Sequence, residues 1–193
     1  MNPLQKIQYW YRWIFKPHFL AGERAEQHFE QLSGSRGYVL EKIPQDKKNF
    51  GKYANNSQNH IKRGDFLVRN LKNLEVEVKC FTKRKYPATE CFVIAYSHIK
   101  RHEEMVNLTG EPVVFAIFER NGRDIVENSL RMIPLRELTG QRRNGIFYDK
   151  RIKCVCIPLT LMYQDFSYFE QYRLEVNQTN NFGYPRYKKS HNR

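Results

Sequence analysis

The 193-residue sequence predicts a single α/β domain with a mixed central sheet. Three observations carry that prediction. The segment "AGERAEQHFEQLSGSRG" places Ala25, Phe29 and Leu32 at i, i+4 and i+7 and ends in glycines, the pattern of an amphipathic helix. Two short segments, "DFLVRN" and "LEVEVKCF", alternate apolar and polar residues on either side of a tight connection near Leu71 and Lys72, the pattern of a β-hairpin. The third is "EPVVFAIFER", a continuous apolar run of strand length, as expected of a central strand covered on both faces.

Taken in order, residues 1–20 hold the aromatic stretch "IQYWYRWIF", broken by Gln8 and Arg12, which reads as an arm or helix that packs its rings on the domain or on a second subunit. The first helix follows, with Glu23, Glu26 and Glu30 on its polar side, and then a short strand in "GYVLEKI". From Pro44 to Gly64 the chain is polar and loop-like, a length that in a compact domain signals function or mobility. Beyond the hairpin come the strand "CFVIAY" and a helix expected to start at a Ser97 cap and stop at Gly110. "RMIPL" and "KCVCIPLTLM" read as further short strands separated by the basic turn "TGQRRNG" with Arg142 and Arg143, so residues 121–176 are expected to extend the sheet. Residues 177–193 are polar and basic, and read as a flexible tail.

Charge narrows the function. With 33 Lys+Arg against 20 Asp+Glu the chain carries a net charge of +13, which points to a polyanionic partner, most commonly nucleic acid. No stretch reaches the roughly 20 apolar residues of a membrane span, and the N-terminus lacks a signal-peptide core, so a cytoplasmic protein without integral membrane association is expected. Cys80, Cys91, Cys154 and Cys156 sit in apolar stretches and read as reduced thiols rather than a zinc site.

The hairpin carries the chemistry. Its apolar residues fix one register: Phe66 opposite Val76, Val68 opposite Leu74, Leu67 opposite Glu75, and hence Asp65 opposite Glu77. A slip by one residue would set Phe66 and Val68 among charges. On the other face Glu75, Glu77 and Lys79 then stand in a row beside Asp65. Two neighbouring carboxylates repel unless a cation neutralises them, and oxygen ligands suit Mg2+ or Mn2+. Lys79 beside them is placed to orient water or stabilise charge on a phosphoryl group. Glu75, facing Leu67 further from the aspartate, is expected to matter far less than Glu77.

Gly64-Asp65, Glu77-Val78-Lys79 and the preceding "GERAE" helix resemble the PD-(D/E)xK nuclease superfamily, with the likeness closest to resolvase-like and restriction-endonuclease-like members, over roughly residues 21–120. The resemblance implies a restriction-endonuclease-like αβββαβ core with a mixed central sheet and additional C-terminal strands. It also implies that Asp65, Glu77 and the main-chain carbonyl of Val78 bind the metal, that Lys79 is the catalytic lysine, and that Glu26 is the helix glutamate, with Glu23 and Glu30 as neighbours on the same side. One departure is that Gly64 stands where the family often has proline.

The reading that follows is a Mg2+-dependent endonuclease that hydrolyses phosphodiester bonds in DNA, with a homodimer as one assembly open to it. Lys47, Lys48, Lys52, Lys62 and Arg63 before the site, and Lys83, Arg84 and Lys85 after it, are the expected phosphate contacts. Three other readings stay open: a nuclease fold that binds nucleic acid without cutting, a nuclease acting on RNA, and a basic membrane-surface protein held by its N-terminal aromatics. His98 and His102, at i and i+4, read as a surface helix face, and His60 as a minor contact to phosphate or water.

Overall fold

A computed structural model describes residues 20–44, 62–86, 89–139 and 145–179. Helix α1 (residues 20–35) precedes strands β1 (Leu40–Lys42), β2 (Phe66–Val68) and β3 (Leu74–Phe81). Next come β4 (Arg84–Tyr86), β5 (Thr89–Ala95), helix α2 (Tyr96–Thr109) and β6 (Val113–Asn121). The remainder comprises β7 (Asp124–Ile125), β8 (Arg131–Pro134), β9 (Phe147–Asp149), β10 (Cys154–Pro158), β11 (Tyr163–Gln164) and helix α3 (Ser167–Thr179). Leaving out β4 and β5, which join another sheet, the first half runs αβββαβ, the order that the resemblance implies.

The main sheet has the order β1-β2-β3-β6-β8-β11, with β7 paired to β6. It is mixed: β3 and β6 run parallel, joined by the α2 crossover, while β1–β2, β2–β3 and β6–β8 are antiparallel. The hairpin register is the expected one, with Phe66 opposite Val76, Leu67 opposite Glu75 and Val68 opposite Leu74. A 3-10 turn over Arg69–Leu71 and left-handed residues Lys72 and Asn73 close it, so β2 ends at Val68, earlier than "DFLVRN" suggests.

Two cores flank this sheet. Val76, Val78, Val114, Ala116 and Met132 pack with Phe29 of α1 and Phe169 of α3 on one face. Val113, Phe115, Ile117 and Ile133 pack with Ile99 of α2 and with Ile94 and Val155 of a second sheet on the other. Strand β6 is therefore buried on both sides, as its unbroken apolar run implies. The second sheet has the order β4-β5-β10-β9, so "CFVIAY" and "KCVCIP" pair with each other rather than extending the main sheet. All four cysteines are free thiols.

Two expectations about the helices are corrected. Helix α2 starts at Tyr96 without a Ser97 cap, because the Tyr96 N–H is taken by the Lys153 carbonyl at 2.9 Å, so a neighbouring segment does what the cap would do. Its far end is as expected: Gly110 adopts the left-handed conformation (φ 75°) and donates to the Val106 carbonyl. Residues 167–179, divided between sheet extension and tail by sequence alone, form α3. Its inward residues Tyr168, Phe169 and Tyr172 are aromatic rather than aliphatic, which disguised the helix. The structure also supplies the cover over the charged face of β3. Glu75 and Glu77 have no exposed surface at all, because α2 and residues 62–64 cover them.

Candidate active site

The site is built where residues 62–65 enter β2 alongside β3. The Asp65 N–H donates to the Val76 carbonyl at 2.7 Å, and an Asp65 carboxylate oxygen accepts the Val78 N–H at 2.8 Å. That second bond clamps Asp65 beside Glu77. Glu75 secures the residues just before it: one oxygen accepts Arg63 Nε and Nη2 at 2.9 and 2.7 Å, and the other accepts the Gly64 N–H at 2.7 Å. Gly64 lies so close to β3 that a Cβ there would sit 2.8 Å from the Val76 carbonyl oxygen. Proline at this position would lack the N–H that Glu75 binds. Gly64→Ala is expected to cost about 1–3 kcal/mol, read as a lower urea midpoint, because the obstacle is backbone and cannot turn aside.

Glu77 is the electrostatic centre. Its Oε1 accepts from both Lys62 Nζ and Lys79 Nζ, and Lys79 Nζ also donates to the Val78 carbonyl at 3.1 Å. Burial alone would push the Glu77 carboxyl up, but Lys79, His102 and Lys62 outweigh it and hold the group well below the usual carboxylate range. Burial likewise works against the Lys79 ammonium, yet Glu77 and Asp65 keep it above its ordinary value. Asp65 responds in the opposite sense: burial first, and the Glu77 charge second, push its carboxyl up to about 6. Two carboxylates against two ammonium groups leave the cluster near neutrality.

Glu26, on α1, lines a depression with Lys42, Ile43, Pro44 and Asp65, whereas Glu23 and Glu30 are exposed. Lys42 Nζ donates to Glu26 at 2.9 Å, a partner that sequence reasoning did not weigh. Of the expected phosphate contacts, Lys62 and Arg63 are engaged with Glu77 and Glu75, and Lys83 reaches Glu90 and Glu119 at 3.5 and 3.3 Å. Arg84 and Lys85 are exposed on β4. Lys47, Lys48, Lys52, His60, Arg142, Arg143 and the aromatics Tyr9, Trp10 and Tyr11 lie outside the described residues.

Helix α2 closes the site from above. His98 is half-buried, its imidazole pushed below the ordinary range by burial and then by Lys79 and Lys62. His102, expected on the surface, is fully buried, with Nε2 3.5 Å from Glu77 Oε2. The overlooked signal is the stripe Ile99, His102 and Met105, in which His102 occupies an apolar-face position.

The donors suit a hard divalent cation. Asp65, Glu77 and the Val78 carbonyl offer oxygen only, and Glu77 Oε2 is buried without a hydrogen bond among the described residues. Among the described residues no group of three or more His, Cys, Asp or Glu is gathered tightly enough to hold a metal. Mg2+ asks for less, being held commonly by one or two carboxylates with water and phosphate oxygens.

Fold and site together define an α/β chain with an aspartate at the head of one strand and Glu-x-Lys on the next, in an αβββαβ order of elements. Among solved structures, Archaeoglobus fulgidus Hjc, a Holliday junction resolvase from an archaeal hyperthermophile, is similar at 12% identity and a TM-score of 0.49, covering 77% of this chain and 95% of that one. No family model and no curated protein matches the sequence. No helix among the described residues is long and apolar enough to cross a membrane.

Proposed function

We propose that this chain is a Mg2+- or Mn2+-dependent endonuclease acting on DNA. The observation that supports the reading best is the convergence of Asp65, Glu77, Lys79 and the Val78 carbonyl on adjacent strands, with the carboxylates pushed apart in acidity by their surroundings. Asp65, Glu77 and the Val78 carbonyl would hold the cation, which when bound supplies Lewis acidity toward the scissile phosphate and a water of lowered pKa.

The chain's own residues do the rest. Lys79 gives up part of its hold on Glu77 and the Val78 carbonyl and turns its ammonium toward the phosphate, where negative charge develops. Lys62, which shares Glu77 Oε1 with Lys79, maintains the charge balance while it does so. Glu26 faces the depression beside Asp65 and would orient water there once Lys42 releases it. Arg84 and Lys85, exposed after β3, and the wider +13 charge supply salt-sensitive, sequence-independent affinity for the backbone.

The test is cleavage of supercoiled plasmid, branched DNA and RNA, each with Mg2+ or with chelator. Cleavage of DNA that needs Mg2+, and that falls by about a hundredfold or more in Lys79→Ala, is the expected result. Wild-type protein that cuts no DNA with Mg2+, or Lys79→Ala cutting at the wild-type rate, would refute the assignment.

A further inference from the structure

The stretch of α2 above the site holds a polar side chain for which the mechanism above has no use. His102 is fully buried, its ring edge-on to Phe115 at 5.3 Å between centroids. Neither Nδ1 nor Nε2 makes a hydrogen bond among the described residues. Glu77 Oε2 is in the same condition, and the two unpaired groups face each other, Nε2 to Oε2, at 3.5 Å. That is about half an ångström beyond a normal N–H···O hydrogen bond. Burying two polar groups face to face and slightly too far apart is unfavourable in a resting core, and folds keep such pairs where function requires them.

We propose that His102 is a positioning residue for Glu77, a donor that fixes the carboxylate through Oε2 when Oε1 turns from the lysines to a divalent cation. This rests on the reading of Glu77 as a metal ligand. Among the described residues the hydrogen bonds to Glu77 fall on Oε1, from Lys62 and Lys79. If Glu77 is to hold a cation, both lysines would have to loosen, and without a second anchor the carboxylate could rotate about its last torsion. His102 supplies that anchor from the opposite side. A carboxylate only accepts, so the useful tautomer carries its proton on Nε2. The backbone brings the two groups together: α2 is pinned at its start by the Lys153 carbonyl, and the Arg101 carbonyl, next to His102, accepts the Lys62 N–H at 3.3 Å. The helix carrying His102 is thus tied directly to the segment that leads into Asp65.

The experiment measures Mn2+ binding to the full chain by calorimetry, alongside thermal midpoints without metal, for wild type, Asp65→Asn, His102→Leu and His102→Gln. His102→Leu is expected to weaken Mn2+ by about 10- to 100-fold, the usual cost of losing a residue that orients a metal ligand, while its metal-free midpoint does not fall. His102→Gln, whose amide can donate from a similar place, is expected to recover most of the lost affinity. Mn2+ affinity unchanged in His102→Leu, or no better in His102→Gln than in His102→Leu, overturns the proposal. Should His102→Leu fail to fold, the wild-type ring nitrogens are followed by NMR as Mg2+ is added: a strengthened Nε2-bound proton signal supports the role, and unchanged ring signals overturn it. Mn2+ binding lost in Asp65→Asn but intact in His102→Leu sinks this inference alone. Wild-type protein that takes up no Mn2+ sinks the metal-site reading with it.

Discussion

Replacing Asp65 by asparagine is expected to abolish cleavage and, at the same time, to stabilise the protein. The carboxyl is raised from its ordinary value of 3.8 to about 6 because it is buried and faces Glu77. A native state that holds the proton more tightly than the unfolded chain is stabilised at low pH and loses that advantage as pH rises through the folded value. Asp65 therefore costs nothing below about pH 4 and its full penalty above about pH 6, on the order of 2 kcal/mol. Asparagine keeps the oxygen that accepts the Val78 N–H and removes the charge. In chelator at pH 7, Asp65→Asn should melt about 5 °C above wild type, with the gap closing toward pH 4. Glu77 titrates below the usual carboxylate range, so its contribution to the slope falls mainly below about pH 5. On the proposed reading, Mg2+ should narrow the gap, because only wild type would gain binding energy. A variant less stable than wild type at pH 7 would show that Asp65 is not strained by its surroundings.

Glu75→Ala should produce the largest loss of stability of any change on β3, about 3 kcal/mol by urea denaturation. Sequence alone ranks Glu75 well below Glu77, on the ground that it faces Leu67 and lies further from Asp65. The structure gives it a different task. It is buried, takes two bonds from Arg63 and one from the Gly64 N–H, and so fixes the two residues immediately before the aspartate. Removing it takes a carboxylate away from a guanidinium that is only partly exposed and withdraws the Gly64 acceptor. Cleavage should fall by about tenfold or more through misplacement of Asp65, even though Glu75 takes no part in the chemistry. Glu75→Gln, which keeps an acceptor for Gly64, should lose less of both. If Glu75→Ala is as stable as wild type, the buried pair contributes only packing.

The hairpin and its charges were legible because they are local. Period-two alternation and an apolar face that tolerates one register put Asp65 opposite Glu77 without any distant contact, and Leu74, Val76 and Val78 made the pattern unambiguous. The unbroken run from Val113 to Phe118 announced its own burial in the same way. Helix α3 was not legible, since Tyr168, Phe169 and Tyr172 serve a helix only where the cluster around Phe29 and Phe166 receives them. The placement of β5 in a second sheet was hidden too, because its partner β10 comes from far along the chain.

By itself, then, the sequence determined the αβββαβ order, the register of the hairpin and the residues that meet at its open end. Only the tertiary structure decided how those residues are held. Arg63 and Lys62, identical in kind to any solvated basic residue on paper, become the partners of buried carboxylates, and His102 turns from a surface residue into the far wall of the site. The reason is physical: alternation along a strand reports which side a residue faces, but burial and the acidity that follows from it depend on what packs against that side, and here α2 and residues 62–64 bring the cover.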